Sequence, residues 1–191
     1  QVSLLRIGPS DQQDSSRTNY TDLGVDSPIN PRSNEAMSEF SHQSEPQSAG
    51  PLSGVRVIDL SAVVSGPMAA VMLADQGAEV IKVEPPGWGD GIRGLGASRN
   101  GVSAIFSMIN RNKKSVALNL KTEVGRLAEE LIGTADVVLQ NYRPGKMARL
   151  GLDYETLKSS YPELIYLSIS GMGDSGPYAE QKVYDYVIQG M

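Results

Sequence analysis

The sequence predicts an α/β fold, a Rossmann-like and mostly parallel sheet with helices on both faces, and three observations carry that prediction. Nearly all apolar residues lie after Pro51. From there on, short β-branched runs alternate with stretches of helical spacing. Proline and glycine cluster at the joints between these runs.

Leu52 to Glu84, LSGVRVIDLSAVVSGPMAAVMLADQGAEVIKVE, opens the fold. VRVIDL has the composition of a strand buried on both faces, and AEVIKVE gives a second. Between them, Ser65-Gly66-Pro67 supplies a turn residue, a flexible joint and a proline where a helix can start without wasting an amide. Met68 to Gln76 carries apolar residues at helical spacing, and Gly77 closes the segment where a left-handed residue is usually required. A parallel crossover of this kind opens a sheet whose strand ends share a crevice, the usual ligand site of such sheets.

Pro85 to Gly101 follows, dense in proline and glycine and carrying Arg93 and Arg99. It is expected to lack regular structure and, leaving the carboxyl end of a strand, to be functional. Val102 to Asn110 reads as a short helix and Ser115 to Leu120 as a third strand. Thr122 to Gly125 opens an amphipathic helix with Leu127, Leu131 and Ile132 on its apolar face. Asp136 to Asn141 gives a fourth strand, and Arg143-Pro144-Gly145 turns into a short helix through Leu150. Asp153 caps another helix to about Ser160, and Leu164 to Ser170 makes a fifth strand.

Composition excludes several functions. A net charge of -5 argues against non-specific nucleic-acid binding, which needs a clustered basic excess. No apolar run approaches the ~18 residues needed to cross a bilayer. With no cysteine there is no thiolate nucleophile and no cysteine metal site, which fits a reducing compartment, cytoplasm or organellar matrix. Residues 1–50 are dense in Ser, Asn, Gln, Pro and acids and have no apolar period, the composition of a disordered segment. They lack an initiator Met, so the chain is expected to begin inside a longer one, and they have neither a transit-peptide nor a signal-peptide pattern. The one histidine, His42, falls there. Residues 51–191 therefore hold no Ser-His pair and no histidine metal site, and a nucleophile must be a carboxylate, Ser, Lys or Tyr.

Glu84 ends the second strand where a ribose-binding acid would sit in a dinucleotide site. The first turn, SGPMAA, lacks the G-x-G-x-x-G fingerprint, so its backbone cannot approach a pyrophosphate closely and NAD is not expected. Glu84 is then a strand-end carboxylate paired with Lys82 or Arg93.

Four blocks in register, LSGVRVIDLSAVVSGPMAAVMLADQGAEVIKVEPP, NRNKKSVALNLKTEVGR, ADVVLQNYRPGKMARLGL and SISGMGDSGPYAEQKVYDYVIQG, resemble the amino-terminal half of class III CoA-transferases. That family includes formyl-CoA transferase, carnitine CoA-transferases and α-methylacyl-CoA racemase. The resemblance implies an acyl-CoA enzyme acting on small carboxylic acids, with coenzyme A as substrate and no metal. By similarity, Leu118 and Lys121 line the nucleotide end and Arg149 takes a phosphate. Asn141 and Tyr142 lie beside the thiol arm, while Lys182, Tyr184 and Asp185 lie near the thioester. Each has a plainer role when taken singly: Lys121 and Arg149 as solvated charges, both tyrosines as half-buried core, Asn141 as a turn former. Together and in order they favour the ligand.

Two departures from formyl-CoA transferase, Val64 for a Gln and Pro85 for an Arg, argue against carrying over its acyl substrate. The resemblance places the nucleophile, an Asp that forms an enzyme-bound anhydride, beyond Met191, with Asp185 a structural neighbour. Tyr184 stands where the racemase branch has a catalytic His, and tyrosine is a poor base at neutral pH, which favours acyl exchange. A racemase relative and a non-catalytic nucleotide-binding module are the alternatives. The resemblance further implies an interlocked homodimer, in which residues 51–191 would be an incomplete folding unit with an exposed apolar sheet face.

Overall fold

The computed structural model describes residues 4–6, 50–122 and 125–190. Its main sheet holds β1 (Leu4–Arg6), β2 (Arg56–Asp59), β3 (Glu79–Glu84), β6 (Lys113–Ala117), β7 (Val137–Gln140) and β8 (Ile165–Ser168). A small hairpin pairs β4 (Ser98–Arg99) with β5 (Val102–Ser103). The helices are α1 (Ser65–Asp75), α2 (Ala104–Asn110), α3 (Gly125–Ile132), α4 (Lys146–Arg149), α5 (Tyr154–Leu157) and α6 (Asp185–Gln189).

The spatial order is β1-β6-β3-β2-β7-β8. Every pairing from β6 to β8 is parallel, and only β1 runs antiparallel, along β6. The chain thus starts in the centre with β2, builds outward through β3 and β6, then returns to the other side of β2 for β7 and β8. The order reverses between β2 and β7, so a crevice opens above their carboxyl ends.

Strand alternation sorts the core into two layers. Ile58, Ile81, Val116 and Val138 point to one face and pack with Ala128 and Ile132 of α3, Met147 of α4 and Leu157 of α5. Val57, Val80 and Leu139 point to the other and pack with Ala70 and Ala74 of α1. Helices therefore cover both faces, as the sequence predicts. Small residues let α1 lie close: a methyl at Gly66 would collide with the Ser61 side chain. At the other end Gly77 turns the chain at φ 100°, the left-handed geometry expected of it.

Four sequence expectations need correction. The loop after β3 is not free of regular structure, because a 3-10 turn at Gly91–Gly94 and the β4–β5 hairpin form within and just beyond it. The third strand begins at Lys113 rather than Ser115, since the Lys113 ammonium finds partners inside the fold and can be buried. Leu127 is exposed on α3, where Ala128 and Ile132 make the buried stripe. The helix after Asp153 is a single turn, Tyr154–Leu157. Apart from Leu4–Arg6, the segment expected to be disordered, His42 included, lies outside the described residues, as do Glu123 and Val124 at the expected start of α3.

Gly66→Ala is expected to destabilise by about 1–3 kcal/mol through overpacking against Ser61. A urea melt of the variant, with Gly94→Ala as a control at a position open to solvent, checks it.

Candidate functional site

The crevice floor is built by the turn after β2, Ser61 to Ser65, and by the end of β7. Three side chains hold that turn by its backbone. Asp59 Oδ1 accepts from the Ser61 amide at 2.9 Å. Asn141 brackets Ala62, accepting its N–H at 2.9 Å and donating to its carbonyl at 2.7 Å. Asp90 accepts the Val63 amide with both oxygens, at 3.0 and 3.2 Å. Val63 has φ 68°, a left-handed geometry that is costly for a β-branched residue. Asn141 also donates to Ser65 Oγ at 3.2 Å, so its amide is spent on the turn, the plainer of its two predicted roles.

Beneath the turn lies a buried ionic network on the α1 face of the sheet. Lys113 Nζ donates to Asp59 Oδ2 at 2.9 Å, the Pro67 carbonyl at 2.8 Å and Asn110 Oδ1 at 3.0 Å. Lys82 Nζ pairs with Asp90 Oδ2 at 3.0 Å and donates to the Ser61 carbonyl at 2.9 Å. Both lysines are essentially inaccessible. Burial, only partly offset by Asp59, pushes the Lys113 ammonium below its ordinary value.

Glu84 completes the network with Arg93, as predicted; Lys82 goes elsewhere. The guanidinium forks onto both carboxylate oxygens at 2.7 and 2.6 Å and lies over the Phe106 ring at 3.8 Å. The Asp90 amide and the Ser115 hydroxyl fill the remaining acceptor positions at 2.9 and 2.7 Å. Burial opposes the Glu84 charge, but these donors outweigh it and hold the carboxyl at about 2 instead of 4.5. A carboxylate so committed has no free oxygen for a ribose.

At the rim the electrostatics change sign. Lys146 Nζ sits 3.9 Å from the centroid of the Tyr142 ring. Burial, then the neighbouring charges of Lys121, Arg149 and Arg143, push its ammonium below the ordinary value. Four cations therefore gather around the end of β7, and among the described residues none of them pairs with a carboxylate. Beside them opens a cavity of about 470 Å³, lined by Tyr142, Arg143, Tyr154 and Tyr166 and also by the carboxylate residues Asp153, Glu155 and Asp174. Burial raises the Tyr142 phenol, with the Asp90 and Asp59 charges adding to the effect, so it stays neutral.

The predicted residues divide accordingly. Lys121, Tyr142 and Arg149 join one cluster, with Asn141 next to it holding the turn. The Leu118 side chain is buried in the core beneath, and its amide bonds to the Glu84 carbonyl at 2.9 Å. Lys182, Tyr184 and Asp185 lie at the exposed start of α6, where Asp185 accepts from Gln189 Nε2 at 2.6 Å and the Tyr184 ring stacks on Tyr186. No hydrogen bond or ion pair among the described residues joins them to the cationic cluster. Arg143 and Lys146 escaped the sequence reading, although the run RPGK announces them. So did Asp59, Asp90 and Lys113, while Lys82 entered it only as a partner of Glu84; the signal for Asp59 and Lys82 was a polar residue two places from an apolar one, Val57 and Val80, on the same face.

Residues 52–191 match CoA-transferase family III. The chain belongs to that family. It is 47% identical over 154 residues to a succinate–glutarate CoA-transferase of Agrobacterium fabrum, a match covering 76% of this chain and 38% of the relative. A formyl-CoA:oxalate CoA-transferase of Streptomyces avermitilis is 42% identical over 142 residues, covering 73% and 34%. Among solved structures, a CAIB/BAIF family protein from Brucella suis superposes with a TM-score of 0.70 at 44% identity, covering 74% of this chain and 39% of that one. The chain thus spans little more than a third of the length of these family III relatives, and the matched part contains the crevice, the buried network and the cationic rim.

Two predictions follow from the network. Lys113→Ala leaves buried Asp59 with only the more distant Lys82 ammonium, at 3.9 Å, and is expected to cost about 3 kcal/mol or to prevent folding, read by urea denaturation. The Glu84 contribution is fully present above its ordinary value of 4.5 and disappears as pH falls through about 2. It amounts to about 3 kcal/mol. Urea midpoints measured from pH 6 to pH 2 should therefore fall, and Glu84→Gln should flatten that fall, leaving a remainder from groups such as Glu79, which Lys114 and Arg56 hold low.

Proposed function

We propose that the protein is an acyl-CoA:carboxylate CoA-transferase and that residues 52–191 form the crevice that receives coenzyme A. The observation that carries this reading is the unpaired cationic cluster of Lys121, Arg143, Lys146 and Arg149. Gathering four like charges without counter-charges destabilises the free protein, and a polyanionic ligand reverses that cost. Coenzyme A brings such charge in its phosphates, together with an adenine and a long, mostly uncharged arm. The cavity of about 470 Å³ beside the cations, walled by Tyr142, Tyr154 and Tyr166 and lined also by Asp153, Glu155 and Asp174, suits the uncharged arm, with the phosphates left to the cations outside it.

In this reading Lys121 and Arg149 take phosphate oxygens, aided by Lys146 and Arg143. Guanidinium groups can bind two oxygens at once, whereas ammonium groups act as point charges. Leu118 contributes the strand end under the nucleotide. Asn141 fixes the turn over which the arm passes, and Tyr142 offers a neutral hydroxyl and a ring face. Lys182, Tyr184 and Asp185 lie nearer the thioester.

The chemistry is nucleophilic exchange. A carboxylate oxygen of an enzyme aspartate attacks the thioester carbonyl carbon, the C–S bond breaks, and CoA leaves as its thiolate while an aspartyl anhydride forms. The thiolate then attacks the aspartyl carbonyl carbon and expels the donor acid as its carboxylate. The acceptor carboxylate displaces CoA from that aspartyl thioester, and the freed thiolate takes the acceptor's acyl carbon, so that CoA ends on the acceptor and the aspartate carboxylate is regenerated. Backbone amides suit the stabilisation of the oxyanion. The buried acids Asp59, Glu84 and Asp90 cannot supply the nucleophile, because each is bonded to a cation and to backbone amides or hydroxyls. In this reading the attacking aspartate is none of these three.

The double variant Lys121→Ala/Arg149→Ala should weaken CoA binding by at least tenfold and lower its dependence on salt, with the urea midpoint of the free protein raised as the repulsion is relieved. Isothermal titration with CoA and with NAD at two ionic strengths tests this. Uptake of NAD in place of CoA, or CoA affinity indifferent to both substitutions, would sink the proposal.

A further inference from the structure

We infer that Asp90 is a positioning residue for the coenzyme A crevice: it holds Val63 in its left-handed conformation and thereby sets the turn on which Val63 and Val64 are presented. The inference rests on the function proposed above for the crevice, and its structural half can be tested separately.

The argument begins with strain. Left to itself, a valine at φ 68° would relax toward the extended or right-handed region, because its branched side chain crowds the backbone there. Something must hold it. The Val63 side chain is not the anchor, since it is 45% exposed and Val64 is 44% exposed. What is anchored is the Val63 amide, by both oxygens of a carboxylate that is itself only 3% exposed.

Asp90 in turn is fixed from below and from the side. Lys82 Nζ reaches it at 3.0 Å, and its Oδ1 accepts the Ile92 amide at 3.2 Å, capping the 3-10 turn. Its own amide is tied to Glu84 Oε2 at 2.9 Å. Lys82 also donates to the Ser61 carbonyl, so one ammonium group connects the clamp to the turn it clamps. The loop after β3 is thereby locked to the turn after β2 across the sheet.

The effect is directional. With Ala62 bracketed by Asn141 and Val63 held by Asp90, adjacent backbone groups are fixed and the two valine side chains are directed outward at the switch point. Releasing Val63 would swing this apolar pair and change the crevice mouth without altering any group that bonds ligand.

A coupled set of variants distinguishes this role from simple stabilisation. Asp90→Asn keeps a neutral acceptor for Lys82 but weakens the hold on the amide. It should reduce CoA affinity by about tenfold in calorimetry. Val63→Gly makes the left-handed geometry free of cost. In that background Asp90→Asn should reduce CoA affinity by less than about twofold, and Val63→Asn, which also tolerates left-handed geometry, should rescue in part. If Asp90 served only to neutralise buried Lys82, no substitution at Val63 would rescue, and equal losses in both backgrounds would overturn the inference.

Amide hydrogen exchange gives the second readout. Val63 N–H should be protected in the wild-type protein and lose at least tenfold of that protection in Asp90→Asn; undiminished protection would overturn the clamp. If Asp90→Asn does not fold, Val63→Gly and Val63→Ala together decide: at a position held left-handed the glycine variant has the higher urea midpoint of the two, and the reverse order overturns the clamp. If the wild-type protein does not bind CoA, the proposed function fails, and the Val63 exchange still reports on the clamp.

Discussion

The contact between Asp59 and Lys113, two charges withdrawn from water in the middle of a parallel sheet, is the constraint on which the rest of the structure depends. Each would be prohibitive alone. Together with Lys82, Asp90, Glu84 and Arg93 they make a set of three acids and three bases, and no buried side-chain nitrogen or oxygen among the described residues lacks a hydrogen-bond partner. A network satisfied to that degree contributes less to stability than apolar residues of the same volume could. What it contributes is geometry. It tolerates one arrangement of β2, β3, β6 and α1, because any other leaves a charge unpaired in the interior.

That rigidity allows the surface above to be unfavourable. A strained valine and four mutually repelling cations sit within a few residues of the strand ends, and neither would persist on a yielding base. Interior and rim follow opposite rules: below the turn every charge is matched, and beyond it positive charge is left unmatched among the described residues. A site prepared for an anion has that form, since binding then completes the electrostatics instead of disturbing them. The depressed ammonium of Lys146 and the well-satisfied carboxylate of Glu84 are two sides of this division.

Much of this was legible in the residues. The β-branched runs gave all five parallel strands in order: the inner strands because burial on both faces leaves a pattern that little else produces, and the edge strand β8 because it is as apolar although Ile165 and Leu167 are exposed. Gly77 marked the end of α1 for reasons of backbone geometry alone, whereas the helix starts at Ser65, two residues before the Pro67 expected to open it. The pairing of Glu84 with Arg93 followed from a strand-end acid meeting the loop that leaves that strand. The network was not legible because its members are far apart in sequence: Asp59 and Lys113 are separated by 54 positions, and only the register of β2, β3 and β6 brings them together. A lysine at the start of a strand looks solvated until its neighbours are known. The same blindness hid Val63, whose conformation is imposed by a carboxylate from another loop, against its own preference.

The three clamps on the turn share a property that bears on specificity: all act on backbone atoms. Asp59 takes the Ser61 amide, Asn141 takes the amide and carbonyl of Ala62, and Asp90 takes the Val63 amide. Side chains at 62 to 64 can therefore change without loosening the turn, provided position 63 accepts its geometry. Val64 illustrates the freedom: its side chain is exposed, while its carbonyl accepts the Met68 amide at the start of α1 whatever that side chain is. Relatives of this chain bear names that differ in their acids, succinate with glutarate in one and formate with oxalate in another. A scaffold that fixes a turn by its backbone leaves the side chains on that turn free to differ from one relative to another, because the fold's demand falls on the main chain and on the geometry at position 63 alone.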